Sequence, residues 1–124
     1  PPGREGVARL LHACLVPRTD DDDNMLIQSV ESKVQEIAQY GSKDNRTTFC
    51  SAGRAALSNG SSHLESLGMM LRSIHSKCLP SDYPKYMEAL LDMNFSTGTP
   101  SNRQWYYQLC NEFGQQSCEP YATD

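Results

Sequence analysis

Five cysteines, three histidines and one carboxylate set among aromatic residues are the groups in this 124-residue sequence with chemistry beyond packing. A serine hydrolase needs a nucleophile on a sharp turn, usually within G-x-S-x-G, with a histidine base and an orienting acid. The sequence contains no G-x-S-x-G. His12, His63 and His75 all fall on segments that read as helices, outside any Gly-rich or strand-end setting, and so read as surface or half-buried helix residues. His12-x-Cys14 and His75-x-x-Cys78 lack the C-x-x-C or H-x-x-x-H spacing of structural zinc sites; disulfide use of those cysteines is expected, with no metal and no cofactor. Glu112 lies in an aromatic, Cys-flanked stretch where burial could perturb it and a substrate could meet it; a plain surface carboxylate is the competing reading. The run Asp20 to Asp23 has neither the alternating ligands, the central glycine nor the closing Glu of a calcium loop. It reads as negative charge placed at a helix N-terminus.

Compartment and partners follow from counts and spacing. Cys14, Cys50, Cys78, Cys110 and Cys118 are widely spaced, which favours disulfides. Their odd number implies a free thiol, an intermolecular bridge or a fragment. N-x-[ST] sequons stand at Asn45, Asn59 and Asn94, each in a stretch that reads as a loop or element end, and three in so short a chain favour the secretory route. Eleven basic against fifteen acidic residues, with no Lys/Arg cluster, argue against nucleic acid as a partner. No apolar run approaches bilayer length, and PPGREGVARLLHACL is too interrupted by charge to be a signal peptide.

The elements that must position these groups read as helices around a thin core, since 38% of the residues are hydrophobic. Residues 4 to 14 carry Val7, Leu10, Leu11 and Cys14 at helical spacing and must stop before Pro17. Leu26, Ile27, Val30, Val34, Ile37 and Ala38 predict an amphipathic helix behind the acidic run. Residues 41 to 46 read as a loop, and Thr48 to Leu57 as a short helix ended by SNGSS. Ser61 or Ser62 then caps a helix bearing Leu64, Leu67, Met70, Leu71 and Ile74 that ends near Cys78 and Pro80. Asp82 opens a further helix with Tyr86, Met87, Leu90 and Leu91, closed by the turn-rich STGTPSN. Beyond it Trp105, Tyr107 and Leu109 alternate with Gln104, Tyr106 and Gln108, a period of two that fits an extended segment, with one helical turn as the alternative.

The stretch RQWYYQLCNEFG, residues 103 to 114, resembles the signature of the serine peptidase family that includes lysosomal prolyl carboxypeptidase, dipeptidyl peptidase II and thymus-specific serine protease. It looks closest to the thymus-specific branch, whose segment runs approximately R-Q-W-x-Y-Q-T-C-T-E-F-G. Arg103, Gln104, Trp105, Tyr107, Gln108, Cys110, Glu112, Phe113 and Gly114 fall on matching positions. Upstream, Cys14, the pair Gln39 and Tyr40, Cys50 and the run Lys77 to Leu79 occur in the family's order, so the resemblance spans nearly the whole chain. Asn111 departs from the usual Thr, and Gln115 and Gln116 stand where relatives carry aromatic or apolar residues, which bears on proline preference.

The resemblance implies a mainly α, disulfide-linked helical cap of an α/β-hydrolase-type serine peptidase, with an irregular or extended C-terminal segment. Residues 1–100 would form the cap and 101–124 would return toward a catalytic domain absent from this chain. The nucleophile would lie before Pro1 and the acid and base after Asp124. The family pattern pairs Cys14 with Cys78 and sends Cys50, Cys110 and Cys118 to partners outside the cap. Trp105, Tyr107, Glu112 and Phe113 become candidates for contact with a peptide substrate, Trp105 and Phe113 as apolar walls and Glu112 as a polar anchor. The expected function is control of substrate access in a secreted or lysosomal exopeptidase cleaving next to proline. The alternative is a free-standing secreted helical disulfide protein that binds a partner, homodimerised through its odd cysteine.

Overall fold

The computed structural model describes residues 2–92 and 100–113, and among them the regular elements are helices: α1 (Arg4–Leu11), α2 (Asp20–Tyr40), α3 (Lys43–Ser58), α4 (His63–Ile74), α5 (Tyr83–Leu91) and α6 (Pro100–Gln108), the last followed by a π-helical turn, Leu109–Phe113. The chain divides into two compact units, Pro1–Tyr83 and Pro84–Asp124.

Side chains at the helix starts explain the boundaries in the first unit. Thr19 Oγ1 accepts from the Asp22 amide while the Asp22 carboxylate accepts from the Thr19 amide, a reciprocal cap that opens α2. Ser62 and Glu65 form the same box at α4. Of the loop expected over residues 41–46, only 41 and 42 are non-helical; residues 43–46 are the first turn of α3, because Ser42 Oγ accepts from the Asn45 amide and so allows the helix to begin at Lys43. Helix α1 stops at Leu11, short of the expected residue 14. His12 adopts a left-handed conformation (φ 59°, ψ 47°), and the Ala13 amide bonds back to the Ala8 carbonyl at 2.8 Å, closing the last turn. Helix α4 likewise ends at Ile74, before the expected Cys78.

Those early stops release two non-helical stretches, after α1 and after α4, and the two are fastened side by side. Ala13 and Leu79 form an isolated parallel bridge: the Leu79 amide donates to the His12 carbonyl and the Cys14 amide to the Leu79 carbonyl, both at 2.8 Å. A Cys14–Cys78 disulfide lies beside the bridge, the pairing that the family resemblance implies. Ser81, almost fully buried, donates its hydroxyl proton to the Leu15 carbonyl and accepts from the Leu15 amide. Ser29 of α2 donates to the Pro80 carbonyl at 2.8 Å. Asp22 Oδ1 accepts from the Tyr83 amide at 3.0 Å. Residues 78–83 thus form a strap tied to the α1 exit by backbone, sulfur and hydroxyl, and to α2 by a serine and a carboxylate. Closing a loop with a sequence separation of 64 residues, the disulfide contributes about 4 kcal/mol on the chain-entropy model.

Leu79 of the strap joins Leu11, Leu26, Ile37, Phe49 and Leu71 in the core, with Val7, Val30, Val34, Leu64, Leu67, Met70 and Ile74 packed around them. Full burial of one such leucine is worth about 2 kcal/mol. On α2 the inward face is Leu26, Val30, Val34 and Ile37, whereas Ile27 and Ala38, expected in the same stripe, are exposed. Two glycines set the helix separations. A Cβ on Gly68 of α4 would meet the Leu10 carbonyl oxygen at the C-terminal end of α1. That oxygen accepts from Arg72 Nη1 at 2.7 Å, which satisfies a helix-end carbonyl with a cation. A Cβ on Gly53 of α3 would meet the flexible Met70 side chain, beside a Ser66 hydroxyl that donates to the Gly53 carbonyl at 3.0 Å.

The acidic run starts α2 as expected and divides its labour. Arg4 of α1 forms ion pairs with Asp20 and Asp23 and donates to the Arg18 carbonyl. Asp22 turns inward, where backbone hydrogen bonds from Arg18, Tyr83 and Thr19 hold its pKa down to about 2 against desolvation.

In the second unit, the extended segment expected over Trp105–Leu109 is helical. Pro100 occupies the first position of α6, where its missing N–H costs nothing, so the last three residues of STGTPSN begin a helix. Leu109 is buried, while Trp105, Tyr106 and Tyr107 are all exposed; the alternation came from an unbroken run of three aromatics.

Two predictions follow from this packing. Gly68→Ala should lower stability by about 1–3 kcal/mol, since a backbone oxygen cannot move aside, while Gly53→Ala should cost less because Met70 can rotate; thermal unfolding of both variants checks the order. Because Asp22 is more acidic folded than its ordinary value of 3.8, its contribution is complete above pH about 4 and is lost as the pH falls toward about 2. Urea unfolding against pH should show Asp22→Asn less stable at pH 7 and flatter through that acid window.

Candidate functional site

The residues singled out as substrate contacts lie on α6 and the π-helical turn. Trp105 and Tyr107 are exposed on α6, Glu112 is exposed within the turn, and Phe113 is the turn's last residue. Trp105 and Tyr107 are two residues apart, about 200° around a helix, so they face opposite sides. A change from α to π spacing shifts the backbone hydrogen-bond partners, and the Tyr107 carbonyl accepts from Asn111 Nδ2 at 3.0 Å. Asn111, where the resembling family carries Thr, therefore holds the junction between the two helical forms. Tyr86 of α5 donates its hydroxyl to the Tyr106 hydroxyl at 2.7 Å, fastening α5 to α6 within this unit. Asn94 and Cys118 lie outside the described residues.

The histidines sit at helix ends and not along helices as expected. His12 follows α1 in the left-handed conformation, His63 is the first residue of α4, and His75 follows its last. His12 Nδ1 is buried without a hydrogen-bond partner among the described residues. The sulfurs of Cys14 and Cys78 bond to each other and so are not thiolate ligands for a metal. No group of three or more His, Cys, Asp or Glu among the described residues is arranged to hold a metal ion. Cys50 is exposed on α3 with a free sulfur.

Sequence reasoning passed over a cleft in the first unit. A recess of about 160 Å³ is lined by Lys33, Glu36, Ile37 and Tyr40 of α2, Gly41, Asn45 of α3, and Ile74 and His75 at the end of α4. Lys33 Nζ donates to Glu36 Oε2 at 2.6 Å, and this hydrogen bond, with the charges of Lys33 and His75, lowers the Glu36 pKa. Tyr40 extends its ring into solvent at 83% exposure. The signal was present as Tyr40 and the Asn45 sequon five residues apart across a helix break, but only the start of α3 at Lys43 brings both to one recess. Among the described residues no helix is long and apolar enough to cross a membrane.

Comparison of the chain with protein-family models, with curated proteins and with solved structures finds no match.

Proposed function

We propose that this chain is the helical cap of a secreted or lysosomal serine-type exopeptidase, resembling those of the prolyl carboxypeptidase family. The observation that carries the reading is the Cys14–Cys78 disulfide in a mainly helical chain, the one bridge that the resemblance at residues 103–114 pairs within the cap. In this account the parent enzyme supplies the serine, the histidine and the oxyanion-binding amides, and forms and hydrolyses an acyl-enzyme. The cap restricts the approach to that site and positions the end of a peptide. Trp105, Tyr107, Glu112 and Phe113 are offered to substrate or to the catalytic body, with Trp105 and Tyr107 serving different surfaces because they face apart.

Passage through the secretory route is supported by the disulfide and by the exposure of the Asn45 and Asn59 sequons. The exposed sulfur of Cys50 supports a disulfide to a cysteine outside this chain, as proposed also for Cys110 and Cys118. A free-standing binding module would use the same cysteine to join a second copy.

The test is hydrolysis of Xaa-Pro peptides by the native protein that contains this chain, with and without a serine-directed inhibitor, alongside non-reducing peptide mapping. Inhibitor-sensitive turnover, with Cys50, Cys110 and Cys118 each bonded to cysteines outside residues 1–124, is the expected result. Absence of turnover together with a Cys110–Cys118 or a Cys50–Cys50 bridge would contradict it.

A further inference from the structure

Asn45 and Asn59 are both exposed and both carry the N-x-[ST] pattern, but their surroundings differ. Asn59 follows α3 next to Gly60, whose left-handed backbone (φ 82°) projects into open space. Asn45 lines the cleft at the ends of α2 and α4, and Tyr40, whose ring is left open to solvent, lines it too. Ile37 and Ile74 give that cleft an apolar floor, while the Lys33–Glu36 pair and His75 give it a polar rim. An aromatic face, an apolar floor and a rim of donors and acceptors match a pyranose, which has a weakly positive C–H face and hydroxyls around its edge. A recess of about 160 Å³, open on one side, has room for a single sugar ring.

We propose that Asn45 carries an N-linked glycan and that its first N-acetylglucosamine seats in this cleft against the Tyr40 ring, an inference that rests on the secretory route proposed above. The co-reactant is a lipid-pyrophosphate-linked oligosaccharide. Asn45 Nδ2 forms a bond to the anomeric carbon as the bond from that carbon to the pyrophosphate oxygen breaks. The amide loses one proton, the lipid pyrophosphate leaves with the bonding pair, and nothing is oxidised or reduced. Thr47 supplies the hydroxyl that the acceptor pattern requires, and it is exposed one turn into α3. Once attached, the sugar covers Tyr40 and bridges α2, the start of α3 and the end of α4. The glycan is then a structural clamp as well as a solubilising group.

The test uses the protein that contains this chain, secreted from a eukaryotic host. Enzymatic glycan release in isotope-labelled water should convert both Asn45 and Asn59 to labelled aspartate. Thermal midpoints are then compared for the parent, Tyr40→Ala, Thr47→Ala and the double variant. Tyr40→Ala should lower the midpoint only while Asn45 is glycosylated and should have no effect in the Thr47→Ala background. Labelling at Asn59 with Asn45 unmodified overturns the inference and leaves the secretory reading standing. Equal Tyr40→Ala shifts in both backgrounds overturn the seat. A chain that is not secreted and carries no glycan overturns both.

Discussion

The pairing of Leu79 with the exit of α1 is the constraint from which the first unit is built. Two short stretches, each left free by a helix that stops early, share two backbone hydrogen bonds, a disulfide and a serine that satisfies both the donor and the acceptor of Leu15. Apart from this junction, α1 meets the rest of the unit through Leu11 and Val7 in the core, the Gly68 approach and the Arg72 cap. With it, Leu79 is delivered into the core, and the following residues reach Ser29 and Asp22 of α2. A polar composition leaves little hydrophobic burial to stabilise four helices, so covalent closure of a long loop carries a large share of the balance.

The same junction explains why polar side chains occupy the interior. Asp22, Ser29 and Ser81 are buried, and each bonds a backbone group of the strap or of the α1 exit. A strap held by directional bonds fixes register as well as compactness, which a larger apolar core alone would not do. The second unit has its own fastening, the Tyr86–Tyr106 hydrogen bond, and presents the residues proposed to meet substrate.

Helix α2 was legible because its acidic start and its spaced aliphatic residues agree, and α4 because Ser62 and Glu65 announce its beginning. The start of α3 was not, since Ser42-x-x-Asn45 is a weaker cap pattern embedded in loop-forming residues. The left-handed turn at His12 left no mark either, because glycine is the residue expected there. Trp105 to Leu109 read as extended because three adjacent aromatics imitate alternation, whereas in the fold all three aromatics are exposed and Leu109 alone of that run is buried. Of the candidate site, the cysteine pair followed from resemblance to a family, while the cleft beside Tyr40 required the tertiary fold to bring three helix ends together.

If the strap is the organising element, its amides open only when the whole unit unfolds. Native-state hydrogen exchange of the Leu79, Cys14 and Tyr83 amides tests this most directly. The account predicts that all three exchange as slowly as the core amides of α2 and α4, with free energies that match global unfolding. Exchange of the Leu79 and Cys14 amides well ahead of the helices would show the strap to be an attachment to a fold that stands without it.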